Sequence, residues 1–514
     1  MKVENFIFSP REAHEAEQLW RVVKRSVDAR QRELRVHLTI LTDEDGKPIA
    51  KDAPIPLYEP PVFQDVHHAE RSAVIIGCGP AGLFAALTLL EHGIKPIIYE
   101  RGKEVSERKK DIALLNRNEG LNSESNYCFG EGGAGTFSDG KLFSRSKKRG
   151  NMQRVMELFH YFGAPDTVLY EAHAHIGSDK LPGIIKKMRE CIIAHGGEIH
   201  FGCRVDSLNE LRVDSLAFRG TPIILAIGHS AHDTYRMLAK EGVTIETKGF
   251  AMGVRIEHPQ ELINRLMYHL HKGERLKVKG ERDLINLVGN ANYSLVTQVD
   301  GRGVYSFCMC PGGHIVPAGS APGTCVVNGM SASHRNSPFA NSGMVVQINP
   351  EDIEGEDPLR GLAYQEELER LAFEQARSMD NGQWTMDNSA IAPAQRMRDF
   401  VEGRESKDLP ACSYLPGIVP SRLDEWLPAH IGKRLQKGFR DFDRKYPGFL
   451  TNEAVIVGVE SRSSSAVRIV RDPESLQSIS MPGLYPCGEG AGYAGGITSS
   501  ALDGINAAMR IIEN

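Results

Sequence analysis

Three glycines and one acid carry the first recognisable chemistry in this chain. Gly77, Gly79 and Gly82 stand in G-x-G-x-x-G spacing behind an apolar run at 73–76, and Glu100 follows about 20 residues further on. The first glycine permits a tight turn, the second lets the backbone approach a pyrophosphate, and the third lets a helix pack on its strand. Pro80 and Ala81 open that helix, whose amides and positive dipole end would hold phosphates, while Glu100 would accept a hydrogen bond from a ribose. A second stretch, 129–142, holds five glycines in fourteen residues, an entropic cost that makes sense where backbone must come close to a ligand. Far downstream, Gly488 and Glu489 follow a short strand and precede a helix start, where an acid can bind a hydroxyl beside a pyrophosphate.

Three more positions suit thiol, proton or anion chemistry. Cys308 and Cys310 form a C-x-C that reads either as a redox-active thiol or metal ligand, or as two positions on one strand face with at least one in the core. His314, four residues beyond Cys310, would donate a proton near neutral pH or sit on a surface loop. Arg462 would bind an anion or pair structurally with Glu460.

The elements that must position these groups read as recurring βα units. A buried strand at 73–76, a helix with Leu83, Leu87 and Leu90 at helical spacing, a cap at Gly93 and a strand at 95–99 make the first. Residues 72–90 carry no charge, but three glycines and a proline argue against a membrane span. A polar helical stretch with Arg101, Arg108 and Arg117 follows, then helices near 151–162 and 181–195, strands near 198–205 and 221–228, and a helix after Gly228. Between 250 and 450, short β-like runs (250–256, 284–287, 294–298, 324–328, 343–348) mix with helical stretches such as 365–379 and 431–442, the texture of an inserted α+β substrate domain. A short strand after Gly483 and a helix over 498–512 close the chain.

Residues 1–65 read as a small α+β unit. A helix is expected over 11–30 with Ala16, Leu19, Trp20 and Val23 as its apolar stripe, then a strand with Val36, Leu38 and Ile40 facing inward, a turn at Asp45-Gly46, and a linker with Pro54, Pro56, Pro60 and Pro61. Its basic residues Lys24, Arg25, Arg30, Arg32 and Arg35 read as a solvated helix face, with RNA or a phosphate as the alternative partner. The expected organisation is therefore 1–65, a dinucleotide-binding domain in two parts (66–240 and 451–514), and an insertion at 241–450.

With 514 residues, 41% of them hydrophobic and 25% charged, the composition fits a soluble globular protein of roughly two to four domains. A net charge of −5 gives no global electrostatic case for nucleic acid. The nine cysteines include no C-x-x-C, so no zinc or iron–sulfur set is indicated and no metal is expected. The start, MKVENFIFSPREAHEAE, lacks the basic and apolar regions of a signal peptide, so a reducing cytoplasm and no membrane partner are expected.

The segments VIIGCGPAGLFAA, GEGGAGTFSDGKL, LAIGHSAHDT, KGFAMGVRIEHP, SFCMCPGG, NGMSASHRNSPFANSG, VESRSSSAVRI and CGEGAGYAGGITSSALDG, with the N-terminal KRSVDARQREL, form a specific set. Together they resemble the FAD-binding fold of glutathione-reductase-like and fumarate-reductase-like flavoproteins. More narrowly, they resemble the little-characterised bacterial FAD-dependent (NAD(FAD)-utilizing) dehydrogenases. The resemblance implies a Rossmann-like α/β nucleotide-binding domain holding FAD. Gly77, Gly79, Pro80, Ala81 and Gly82 would meet the pyrophosphate, Glu100 the adenosine ribose, and Arg101 the adenine end. Gly133, Ala134, Gly135, Thr136, Asp139 and Gly140 would line the pyrophosphate and flavin. The Val205 backbone would meet the adenine, with Ala226 and Gly228 under the cofactor. Gly488 and Glu489 would bind the ribityl chain or phosphate, and the amides around Gly496 and Ile497 the flavin's pyrimidine edge. Cys310, His314 and Arg462 are the candidate catalytic residues. The implied activity is a flavoprotein oxidoreductase, a dehydrogenase or reductase of a small organic substrate. NAD(P)H would be a donor without a dedicated domain, since there is one full glycine motif. The alternatives are an RNA-associated flavoprotein and a non-catalytic flavin-binding module.

Overall fold

The computed structural model describes residues 1–30, 33–143, 150–213, 220–270, 281–378 and 390–514. These residues make a mixed α/β chain with a five-stranded parallel sheet, a seven-stranded sheet and three smaller ones. The parallel sheet runs Leu484–Pro486, Ile223–Leu225, Ser72–Ile76, Lys95–Tyr99, Glu198–His200, so strands far apart in sequence lie side by side.

Both faces of this sheet are covered, which is why its strands read as unbroken apolar runs. Ala73 and Ile75 point into a core shared with helices Pro80–Glu91 and Leu181–Ala194, whereas Val74 and Ile76 point into the core shared with the seven-stranded sheet. Every residue of the Pro80–Glu91 helix from Ala81 to Leu90 is buried, so the uncharged stretch 72–90 is a strand, turn and helix inside the protein. Among the described residues no helix is long and apolar enough to cross a membrane. Helix Ile497–Glu513 packs against the Pro80 helix so closely that a Cβ on Gly504 would stand 2.0 Å from the Ala81 carbonyl oxygen.

The seven-stranded sheet runs Val296–Val299, Arg302–Cys310, Phe339–Ile348, Phe250–Pro259, Val455–Glu460, Ala392–Arg396, Ile418–Pro420, and only its last pair is parallel. The expected boundary at 451 therefore falls too early. Strand Val455–Glu460 belongs to this sheet, not to the returning dinucleotide part, because a two-sided apolar run does not say which sheet will take it. The β-like run at 284–287 is instead helix Glu281–Val288, with Leu284, Ile285 and Val288 at helical spacing against the core. The expected strand at 198–205 ends at His200.

In the N-terminal unit the helix stops at Leu19 rather than continuing to Arg30. Val22–Asp28 is a strand on Arg35–Thr42, so Val22 and Val27 join Val36, Leu38 and Ile40, while Leu19 is 61% exposed. β-branched residues in that stretch favour the sheet over continued helix. The basic set is thus no helix face: Arg25 is held by Glu17 at 2.7 Å and Glu171 at 3.0 Å, and Arg30 by Asp28. Arg32 and the end of the expected helix 365–379 lie outside the described residues.

Candidate functional site

The three glycine signals converge at the carboxyl end of the parallel sheet. At Gly77, with φ +104°, a Cβ would stand 2.3 Å from the Ala226 carbonyl oxygen, so only glycine lets these strand ends approach. A Cβ on Gly82 would stand 2.0 Å from the Gly77 carbonyl oxygen, which is the helix-on-strand packing expected of the third glycine. Gly79, by contrast, has room: a Cβ would meet only the Gly133 Cα, at 3.8 Å. It caps the Pro80 helix with no side-chain hydrogen bond.

A second helix start meets this one. Gly496 caps helix Ile497–Glu513, again without a side-chain hydrogen bond. A Cβ on Gly488 would lie 3.0 Å from the Ala81 Cβ. Between the two starts runs the 3-10 turn Gly133–Gly135, where a Cβ on Gly133 would meet the Gly79 Cα at 3.0 Å and one on Gly135 the Ile497 Cγ1 at 3.0 Å. Two helix N-termini without side-chain caps, lined by glycine, make a site for an extended anion such as a pyrophosphate.

Glu100 is 5% exposed, and the structure shows it tying the turn together. Its Oε2 accepts from the Cys78 amide at 2.8 Å, and its Oε1 from the amides of Gly102 at 2.8 Å and Gly130 at 3.0 Å. Glu100→Ala would strand three buried donors and is expected to cost the protein about 3 kcal/mol. Denaturant unfolding checks this; an acid reserved for a ribose would leave that stability unchanged.

Arg101 is locked between Glu124 and Asp233, with its guanidinium 4.0 Å from the centre of the Phe129 ring. It borders a cleft of about 720 Å³ that Tyr99, Cys203, Val205 and Leu211 also line. Gly228 has φ +71°, and a Cβ on Gly490 would come within 2.6 Å of its carbonyl oxygen. The Glu489 carboxylate lies 3.7 Å from the His229 ring nitrogen.

Two members of the glycine loop face inward instead of lining a ligand space. Thr136 is 1% exposed and donates to the Glu131 carbonyl oxygen at 2.8 Å. Asp139, also 1% exposed, takes a bidentate pair from Arg335 at 3.0 and 2.6 Å. Burial raises its pKa, but Lys141 and Arg335 outweigh that and hold it at about 2. Gly140 turns beside Asp139 with φ +67°.

Arg462 is not a free anion receptor. Its fork clasps Glu369 at 2.9 and 2.8 Å, with Ser320 at 2.6 Å on the third nitrogen, all buried. The expected Glu460 partner pairs with Arg255 at 2.9 Å. His314 is exposed at the start of strand His314–Pro317. Cys308 and Cys310 do sit together, with Lys141 Nζ 3.8 and 3.6 Å from their sulfurs. Among the described residues no group of three or more His, Cys, Asp or Glu could hold a metal ion.

The residue that sequence reasoning missed is Arg108. Fully buried, it donates to the carbonyls of Asn126, Tyr127, Gly130 and Glu131 and to the Thr136 hydroxyl, and so shapes the glycine loop. Burial lowers its pKa to about 10, so it stays charged at neutral pH. Its only signal was an arginine on a helix just before a glycine-dense stretch.

A family model described as FAD-dependent protein, C-terminal domain-like, matches residues 249–463. An uncharacterised protein of Clostridium beijerinckii is 43% identical over 452 residues, covering 86% of this chain and 80% of its own. The chain belongs to that protein's family. Its cofactor is FAD. Among solved structures, CtdE in complex with FAD is similar with a TM-score of 0.29 and 11% identity over 86% of this chain and 84% of that one. The tetracycline destructase Tet(51) has a TM-score of 0.24 and 12% identity over 57% and 61%. The glycine cradle leaves room for the cofactor, since a Cβ at Gly496 would meet nothing within 4 Å and one at Gly79 only the Gly133 Cα.

Proposed function

We propose that this protein is an FAD-dependent oxidoreductase, a dehydrogenase or reductase of a small organic substrate. The observation that carries the reading is the meeting of two helix starts without side-chain caps at a turn of glycines. Gly79, Pro80, Ala81 and Gly133–Gly135 would hold the pyrophosphate. Glu100, Arg101 and Val205 would border the adenosine, Glu489 the ribityl chain, and Gly496 and Ile497 the flavin's pyrimidine edge. When bound, FAD supplies hydride or electron transfer, and the protein's part is to orient it and exclude water. The parallel sheet would serve as a Rossmann-like floor and the seven-stranded sheet as the substrate-side domain. With one glycine motif of this kind, NAD(P)H would meet the flavin without a domain of its own. All nine cysteines are free, which supports a reducing compartment.

The full-length protein is expected to be yellow, to release FAD on denaturation, and to be bleached anaerobically by NADH, NADPH or a quinol and reoxidised by an acceptor. A colourless preparation that takes up no added FAD would overturn the cofactor placement. Flavin that no donor reduces and no acceptor reoxidises would overturn the enzyme reading in favour of a binding module.

A further inference from the structure

Cys308 and Cys310 lie at the end of strand Arg302–Cys310, where the ladder to Phe339–Ile348 shifts register between Phe307 and Cys310. Cys308 itself has φ +45°, a left-handed conformation that strains a side-chain-bearing residue and is enriched at functional sites. In a regular strand, residues two apart are separated by about 6.6 Å, the outer limit for bridging by a disulfide. Here the strand is not regular, and the irregularity leaves both sulfurs beside one cation, Lys141 Nζ, at 3.8 and 3.6 Å.

A second cation is built in from below. Arg255, fully buried, donates to the Cys308 carbonyl oxygen at 2.7 Å and to the Cys310 sulfur at 3.6 Å. Asn341, Asn328 and Glu460 hold the rest of its fork. A Cβ at Gly329 would stand 2.1 Å from the Arg255 Nη2, so glycine there clears its path. The charged groups around the pair are therefore Lys141 and Arg255, with Asp139 and Glu460 behind them. The two residues differ in burial: Cys310 is completely buried, while Cys308 retains some exposed surface beside Lys141, whose side chain is about one-third exposed.

We propose that Cys308 and Cys310 form a dithiol–disulfide couple, in which Cys308 attacks an external low-molecular-weight disulfide and Cys310 resolves the adduct. The Cys308 thiolate forms a bond to one sulfur of R–S–S–R, the external bond breaks, and RS⁻ leaves. Cys310 then attacks the Cys308 sulfur, its proton passing to the second departing RS⁻. The protein ends with a disulfide, having given two electrons to the substrate, which leaves as RSH and RS⁻. The division of roles agrees with the charges. A hydrogen bond from the Cys310 thiol, with Lys141 and Arg255, pulls the Cys308 thiol well below the usual range against its burial. The shared proton and burial push Cys310 up. Elsewhere, the buried Cys78, Cys325 and Cys487 have thiols raised by burial, as expected of inert core cysteines.

The inference goes beyond the flavin reading and is tested without reference to turnover. The full-length protein is equilibrated in buffers of reduced and oxidised glutathione, quenched in acid, alkylated and mapped by mass. The expected result is the loss of two hydrogens confined to the peptide holding Cys308 and Cys310. In Cys310→Ser, glutathione is trapped on Cys308; in Cys308→Ser no adduct forms at Cys310. Lys141→Met is expected to slow alkylation of Cys308 at neutral pH about tenfold. A dithiol that stays reduced in every buffer, with no adduct in a folded Cys310→Ser protein, would overturn the proposal. So would equal trapping on Cys310 in Cys308→Ser. Protein that keeps FAD but never forms the disulfide overturns this inference alone, and protein that forms it but binds no flavin overturns only the flavin reading.

Discussion

Arg108→Ala is expected to release FAD and to destabilise the FAD-free protein by about 4 kcal/mol or more. The side chain is fully buried and is the shared donor for four loop carbonyls and the Thr136 hydroxyl. Removing it strands the buried Asn126 and Tyr127 carbonyls, each costing roughly 1–3 kcal/mol unless the loop opens to water, while the Gly130 and Glu131 carbonyls keep the Gly133 amide and the Thr136 hydroxyl as donors. Opening relieves the cost but moves Gly133–Gly135 away from the two helix starts. Arg108→Lys should rescue little, because one ammonium cannot reach acceptors that a planar fork spans. Gly130 reports the same fit, since a Cβ there would stand 2.4 Å from the Arg108 Cδ. Urea unfolding and FAD fluorescence titration check both effects. Wild-type FAD affinity in Arg108→Ala would remove this residue from the cradle.

The second large effect lies in the Arg462–Glu369 pair. Both side chains are buried, 6% and 0% exposed, and the fork is bidentate. Arg462→Ala is expected to cost about 3–5 kcal/mol, because it leaves a carboxylate uncompensated in the interior. Arg462→Met combined with Glu369→Leu should cost much less than either single change, since an apolar pair of similar volume leaves no buried charge. A double-mutant cycle by denaturant unfolding measures this. A double variant as unstable as Arg462→Ala would show that the charge is not what matters.

Much of the cradle was legible because its chemistry restricts residue type. Gly77 and Gly82 stand out as turn and packing positions because neither leaves space for a Cβ, and the strand and helix around them follow from local periodicity. The helix over 498–512 and its glycine-rich start were equally plain. Long-range partners were not legible. Nothing near Arg462 in the sequence announces Glu369, nor near Glu460 announces Arg255, and nearest acids are poor guides to ion pairs made across a fold. Glu100 was found by spacing, but spacing could not show that three amides of its own chain use the carboxylate. The strand Val22–Asp28 was hidden for a different reason. Its basic residues read as a helix surface, and only pairing with Arg35–Thr42 decides in favour of the sheet.

Gly79→Ala tests the central claim most directly, because the protein itself has room for the methyl group. The nearest atom a Cβ would meet is the Gly133 Cα at 3.8 Å, and the backbone there is ordinary. The FAD-free variant should unfold within a few tenths of a kcal/mol of the wild type. Its FAD affinity, measured by fluorescence titration, should fall at least about tenfold, because the new atom occupies the approach of the pyrophosphate to the helix start. Unchanged affinity in a stable Gly79→Ala protein would contradict a cofactor held at this cradle.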